Sequence, residues 1–301
     1  MAAFLLRRLL LAAVVLVAVS FVSFWFFARN FYVAAGTLLP VSPSTAWWRW
    51  FTGIPSGTLG KGTFGQNLWV TLVPALEHTT WLILESLVVV VCASLALGIV
   101  GALRPRSRLD LVLRVVAYAS WSLPAFLLAM VLQKAQQLGR FHPFPAGGYP
   151  AGGAGMHHAL QVVWYLLLPS LALATSFVGL YGRFVRSSLL VALAAPFTTT
   201  ARAKGLPERI VVVRHALRNS LATYVSVLLL EFGSVFGAAM VVDWIYQLNG
   251  IGTLFIRTIG GTSIDPSAVQ LIIVVTAAIV LATSLIADLA VIWLDPRVRA
   301  R

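Results

Sequence analysis

Six stretches of this chain are apolar for long enough to cross a lipid bilayer, and they constrain the fold more than any other feature. A hydrocarbon core needs roughly 20 such residues when they are helical. The stretches run over Leu9–Ala28, Thr79–Gly101, Val115–Leu132, Leu160–Tyr181, Leu221–Val242 and Ala268–Trp293. The whole chain of 301 residues is 59% hydrophobic and only 10% charged. A soluble core of this size would need far more polar surface to cover it, so the natural solvent is lipid. The sequence therefore predicts an all-α integral membrane protein with six transmembrane helices. No soluble domain is left over, and no internal repeat is visible.

The charges orient the spans. Arg7, Arg8, the arginines at 104, 106, 108 and 114, the seven basic residues from Arg183 to Arg218, and Arg297, Arg299 and Arg301 fall on one side. That side holds 16 basic residues and the other side six. The excess marks the cytoplasmic face and places both termini there. The net charge of +13 follows the membrane sidedness rather than a nucleic-acid surface. Arg7-Arg8 ahead of an apolar run has the form of a signal peptide. However, a signal core is usually about 7–15 residues, and this run exceeds it with no small-x-small site at once behind it, so it reads as a retained first span.

Between the spans, residues 29–76 carry Trp47, Trp48, Trp50 and Trp69 with several Gly and Pro, and read as an external segment against the outer surface. Within it, Gly57 to Thr63 imitates a phosphate loop but fails as one. Pro55 stands where the first glycine belongs, and Gly62 follows the lysine where Ser or Thr is needed. Lys134–His158 and Asp243–Asp265 read as further external loops. His142, Met156, His157 and His158 raise the question of a metal, but adjacent histidines point apart and no Cys or carboxylate joins them, so no metal site is assigned. The single cysteine, Cys92, excludes a disulfide within the chain.

The longest segment outside the spans that still looks built to fold is Pro196–Leu221, PFTTTARAKGLPERIVVVRHALRNSL. Its threonines are candidate helix caps. Ala201, Arg202, Ala203 and Lys204 favour helix, Gly205 permits a sharp turn, and Pro207 and Glu208 suit the start of a second helix. That helix puts Ile210 and Val213 on one side with Arg209 and Arg214 flanking, then passes His215, Arg218 and Asn219 into the next span. Three acids lie within or near spans: Glu85, Glu231 and Asp288. Acids in hydrocarbon mark pathways or proton relays by default. Asp288 lies near a span end and reads as structural, whereas Glu85 and Glu231 are candidates for facing a polar cavity. Pro124 adds a candidate pathway bend. No catalytic motif is present, so the chain is not expected to be an enzyme, and the energy for any transport must come from elsewhere. The runner-up reading is an ion-coupled secondary transporter using Glu85 and Glu231.

Thr200-Ala201-Arg202-Ala203-Lys204-Gly205-Leu206, followed by Arg214-His215-Ala216-Leu217-Arg218-Asn219, resembles the coupling loop of permease subunits of binding-protein-dependent ABC importers, in the dipeptide, oligopeptide and nickel branch. Other resemblances run along nearly the whole chain. They are Phe4-Leu-Leu-Arg-Arg-Leu-Leu10, the Gly57–Gly65 outline, Ser120-Trp-Ser-Leu-Pro124-Ala-Phe126, Arg183-Phe-Val-Arg186-Ser-Ser, Trp244 through Gly250-Ile-Gly252, and Asp295-Pro-Arg-Val-Arg299. The resemblance implies a type I importer permease in a bacterial cytoplasmic membrane, with residues 1–28 as first span, 29–76 external, and a core of 77–301 carrying the coupling loop at 196–218. It further implies a second permease, two ATPase subunits that carry the ATP and Mg, an external binding protein, and no cofactor on this chain. Peptides are the implied substrate class. Three departures stand out: the region from Asn30 to Pro40 lacks the family's acid, Asn249 replaces a usual proline, and Thr199-Thr-Ala201 stands where Glu-Ala-Ala is frequent.

Overall fold

The computed structural model describes residues 2–34, 42–54, 60–62, 65–139, 143–153, 155–260 and 265–294. The Pro40 region, most of the Gly57–Thr63 turn, Arg140, His142 and the closing Asp295–Arg299 motif lie outside the described residues. Among the described residues four helices are long and apolar enough to span a membrane: α1 (Ala2–Ala34), α3 (Trp69–Leu103), α6 (Gly155–Ala194) and α12 (Pro266–Leu294). Between α1 and α3 lies α2 (Pro43–Gly53), capped by the Ser42 hydroxyl, which accepts from the Thr45 N–H. Two bent pairs bring the spans to six when each pair is counted once.

The first bent pair is α4 (Arg108–Ser122) and α5 (Ala125–Gln137), which meet at 91°. The sequence predicts a kinked helix here; the structure has a full break. Proline pushes the residue before it out of the helical region, and Leu123 is accordingly extended (φ −89°, ψ 116°). Its freed carbonyl accepts from the Ser176 hydroxyl at 2.7 Å, which is the compensation a break at membrane depth requires. The second pair is the helical run Glu208–Leu230, which ends in α9 (Arg218–Leu230), and α10 (Phe232–Tyr246), bent by 53° at Glu231.

Other boundaries also depart from expectation. α3 begins ten residues before the predicted span because Leu68, Leu72 and Ala75 pack against Ile251, Leu271 and Ile272. α6 runs far past its apolar stretch and stops only at Ala194, since the residue before Pro196 disfavours helix. Helices α3 and α6 cross closely where glycines leave room. A Cβ on Gly98 would lie 2.5 Å from that of Val185, and one on Gly182 would lie 2.8 Å from Leu97. Around this pair Leu82, Leu166, Leu173, Phe236, Val242 and Tyr246 form the main core.

The predicted external loop Asp243–Asp265 holds a buried turn and a helix, α11 (Ile251–Gly260). Asp243 is fully buried and gathers the turn's free donors. Its carboxylate accepts from the Gly250 N–H (2.9 Å), the Thr253 N–H (2.8 Å) and the Thr253 hydroxyl (3.1 Å). The Thr79 hydroxyl accepts from the Ile251 N–H at 2.8 Å. Asn249 has φ +58°, a conformation open to asparagine and closed to proline, so this turn differs locally from one with proline there.

Helix α1 docks on α12 through polar pairs. Arg8 meets Asp288 at 3.0 Å, the Ser23 hydroxyl donates to Gln270 Oε1, and the Gln270 amide donates to the Ser20 carbonyl. The Trp47 indole of α2 donates to the Ser20 hydroxyl. Asp288 thus fastens α12 to α1.

Gly252 tests the packing of the α10–α11 turn. A Cβ there would lie 1.8 Å from the Met240 carbonyl oxygen, whereas one on Gly237 meets nothing within 4 Å. Gly252→Ala should therefore cost about 1–3 kcal/mol or more, seen as a lowered thermal midpoint in detergent. Gly237→Ala should be neutral or slightly stabilising.

Candidate functional site

The segment at 196–218 builds out of the end of α6. Pro196 opens a short helix, α7 (Pro196–Ala203), at the position where a missing N–H costs nothing. The threonines do not cap it, contrary to the sequence reading. The N-cap is Ala195, without a side-chain bond. The buried Thr198 hydroxyl instead reaches the carbonyls of Ala192 (3.1 Å), Leu193 (3.0 Å) and Ala195 (2.7 Å), fastening the corner between α6 and α7. Thr200 donates back to the Pro196 carbonyl at 3.0 Å and Thr199 lies 3.5 Å from that of Ala195; both are exposed.

Gly205 then turns the chain with φ +76°. Its N–H donates to the Arg202 carbonyl at 2.9 Å, and the Leu206 N–H donates to the Ala201 carbonyl at 3.4 Å. These two bonds make a Schellman closure, the helix ending that places glycine in the left-handed region. Across the turn Arg202 grips Glu208 with both arms: Nε to Oε2 at 3.0 Å and Nη2 to Oε1 at 2.7 Å. Its Nη1 also donates to the Leu193 carbonyl at the end of α6. One guanidinium therefore ties together α6, α7 and the start of the next helix. Bonding to Arg202 holds the Glu208 carboxyl below the usual carboxylate range.

The second helix begins as α8 (Glu208–Ile210), widens into a π-helical stretch over Val211–Leu217, and continues as α9. Val211, Val212 and Ala216 face inward and are buried. Ile210 and Val213, with Arg209 and Arg214, lie on the exposed side, as do Ala203, Lys204, Arg218 and Asn219; His215 is half-buried. An apolar pair is thus presented outward among cations.

Behind this segment lies an ion-pair cluster that the sequence reading missed. Asp110, 1% exposed, accepts from Arg186 through both oxygens at 2.7 and 2.9 Å and from the Arg106 N–H at 3.0 Å; Arg114 stands 3.6 Å away. Asp110 binds the start of α4 to α6, the helix that leads into the 196–218 segment. The signal was present: Asp110 is the lone acid in the arginine-rich stretch from 104 to 114. Nearby, Arg183 lies over the rings of Tyr118 (4.6 Å) and Trp121 (4.5 Å), fixing α6 on α4 a second time.

The remaining candidates are not gathered into one site. Glu85 on α3 is half-buried and accepts from the Ser170 hydroxyl of α6 at 3.1 Å; its other oxygen is buried without a hydrogen-bond partner among the described residues. Glu231 accepts from Ser234 on its own side of the break. Pro124 lies exposed at the 91° bend. At the opposite end of the bundle, Glu77, His78, Tyr149, His158 and Asn249 line a cavity of about 400 Å³. His78 stacks on Tyr149 at 3.7 Å, and burial, with the Glu77 charge, pushes the Tyr149 phenol up to about 12. No group of three or more His, Cys, Asp or Glu side chains is placed to hold a metal among the described residues.

A bundle of membrane-length helices, broken at Leu123–Pro124 and at Glu231 and carrying a tied helix-turn-helix at one end, has the make-up of a polytopic membrane transport protein. The family described as binding-protein-dependent transport system inner membrane component matches residues 94–300, and the chain belongs to that family. It is a multi-pass protein of the bacterial cytoplasmic membrane with the type I importer permease fold. Among its relatives, the oligopeptide transport system permease protein AppB of Bacillus subtilis is 27% identical over 83% of this chain and 78% of its own length. The glutathione transport system permease protein GsiC of Pectobacterium atrosepticum is 32% identical over 70% of this chain and 66% of its own. The oligopeptide transport system permease protein OppB of Escherichia coli K12 is 30% identical over 67% and 62%.

The Arg202–Glu208 fork gives the segment a pH dependence with a definite sign. A depressed carboxyl stabilises the turn above the ordinary glutamate value of 4.5 and loses that contribution as pH falls through its lower folded value. Hydrogen exchange at the Leu206 amide should be slow and level at neutral pH, then speed up as the medium is acidified below that range. In Glu208→Gln the acid-dependent step should be absent.

Proposed function

We propose that this chain is one of two permease subunits of an ATP-driven importer for peptides, and that residues 196–218 couple it to the ATPase subunits. The observation carrying this reading is the tied turn itself. Thr198, the Gly205 closure and the Arg202–Glu208 fork join α7 to the end of α6 and the start of α8, so the segment moves as one piece with two long helices. A docking element must transmit displacement rather than absorb it, and this construction suits that task. Arg202 and Glu208 serve each other, so contact with the ATPase falls to Lys204, Arg209, Ile210, Val213 and Arg214 on the exposed side.

In this scheme residues 1–28 are the first span, 29–76 face outward, and the core of 77–301 forms half of the translocation pathway. Both termini lie in the cytoplasm, as the basic bias requires. ATP and Mg bind the two ATPase subunits, and an external binding protein delivers substrate. ATP-driven closure of the ATPases swings the coupling segments, and the breaks at Pro124 and Glu231 let the spans change their path by alternating access. The peptide assignment rests on the oligopeptide and glutathione permeases among the relatives. Glu85 and Glu231 enter as pathway groups; each accepts from a different serine, and the two are not gathered as a proton relay would need.

Gly205→Pro tests the coupling role. Proline cannot adopt φ +76° and has no N–H for the Arg202 carbonyl. In proteoliposomes holding the assembled transporter, transport should fall by about tenfold or more, a barrier change of about 1.4 kcal/mol, while the protein still inserts. An unchanged transport rate would remove the coupling role from this turn.

A further inference from the structure

The 196–218 segment carries charges that its own bundle does not answer. Three acids stand at this end among the described residues, and an arginine already engages each: Arg186 meets Asp110, Arg202 meets Glu208 and Arg8 meets Asp288. Lys204, Arg209, Arg214 and Arg218 are exposed, and no described carboxylate lies within ion-pair distance of them. The cations also border apolar surface. Lys204 ends α7, and Arg209 opens the returning helix beside Ile210, which is 40% exposed. Val213, 56% exposed, follows one turn on. Covering these two side chains removes apolar area from water, and the cations beside them fix the sign of what can cover them.

Height above the membrane separates the two kinds of anionic surface that could do so. From Tyr181, where its apolar stretch ends, α6 rises about 20 Å to Ala194. The returning helix covers a similar height from Arg209 down to Leu221, where the next apolar stretch begins. Headgroups add only about 5–8 Å beyond the hydrocarbon on each side. Lys204 and Arg209, at the far end of both legs, therefore stand clear of lipid phosphates, whereas Arg214 and Arg218 lie closer to them. A protein surface is what Lys204 and Arg209 can meet.

We propose that the ATPase seat for this segment is acidic: an apolar pocket that takes Ile210 and Val213, with Asp or Glu carboxylates on its rim facing Lys204 and Arg209. The inference rests on the coupling role given to 196–218 and adds the chemistry of the partner. Arg209 offers a planar fork that a carboxylate can meet through two N–H bonds, and Lys204 offers a point charge. Glu208 adds no repulsion toward such a rim, because Arg202 holds both of its oxygens.

Zero-length carbodiimide coupling tests the carboxylates directly, because it joins an amine only to a carboxyl in contact with it. The lysines of this chain are Lys61, Lys134 and Lys204, and the first two fall in segments read as external. The transporter is assembled in nanodiscs of phosphatidylcholine alone, which removes anionic lipid. Coupling should join this chain to the ATPase through an amide between Lys204 and an Asp or Glu, located by peptide mass spectrometry. Lys204→Arg, which keeps the charge and loses the amine, should abolish the adduct with ATPase binding retained. Arg209→Glu should weaken ATPase affinity about tenfold at low salt and much less at high salt. An ATPase that stays bound, gives no Lys204 adduct and is indifferent to Arg209→Glu overturns the acidic seat. If its affinity still drops when Ile210→Ala and Val213→Ala are combined, the coupling role survives that failure; indifference to all of these variants removes both. A weakening by Arg209→Glu confined to discs with added phosphatidylglycerol assigns the cation to lipid and also overturns the seat.

Discussion

Every backbone N–H and C=O in hydrocarbon must find its partner within the protein, because no water is there to supply one. Continuous helices meet most of this condition by themselves, and α1, α3, α6 and α12 run long, with only Pro74 in α3 and Pro169 in α6 removing a donor from within. The informative places are those where the helix is interrupted. At Leu123–Pro124 the chain turns through 91°, and Ser176 from α6 is placed to take up the freed carbonyl. At the α10–α11 turn a whole buried aspartate, Asp243, is spent on donors that no helix satisfies. Polar side chains in this molecule are few, and most of those buried among the helices repair or fasten backbone.

The same economy explains the 196–218 segment. It must leave the membrane helices, reverse direction and return without becoming slack. Three devices prevent slack: a buried threonine at the corner, a left-handed glycine closing α7, and an arginine fork that spans the turn. Behind them Asp110 and Arg186 fix α6 to the head of α4, and Arg183 adds a second fastening against Tyr118 and Trp121. The segment's inward valines pack on the bundle while Ile210 and Val213 face out. A rigid knob with an apolar tip and a cationic border is what remains exposed.

Much of this was legible in the residues. The apolar lengths alone give six spans, and the order T-A-R-A-K-G-L with a following basic helix predicts helix, turn and helix with the glycine at the hinge. What escaped was set by tertiary partners that local pattern does not contain. Thr198 looked like a cap because capping is the common use of threonine before a helix; the carbonyls it serves belong to the preceding helix and become visible only once the corner is formed. Asp110 was hidden by its arginine-rich surroundings, and its value depends on Arg186, 76 residues later. Helix α11 and the early start of α3 depend on each other, since Leu72 and Ile251 each bury against the other's element. Asn249, a departure from the family's proline, is explained by its positive φ, which no sequence pattern displays.

Site-directed crosslinking asks whether the exposed side of 196–218 seats on an ATPase subunit, as proposed. With Cys92 replaced by serine, single cysteines are placed at Ile210 and Val213, and at Met156 as an exposed control at the opposite end. In membranes holding the assembled transporter, Ile210→Cys and Val213→Cys should give crosslinks to the ATPase that strengthen or weaken with added ATP, and Met156→Cys should give none. Crosslinking that is absent from both positions of the segment, or equal at Met156, would mean that the segment does not dock on the ATPase.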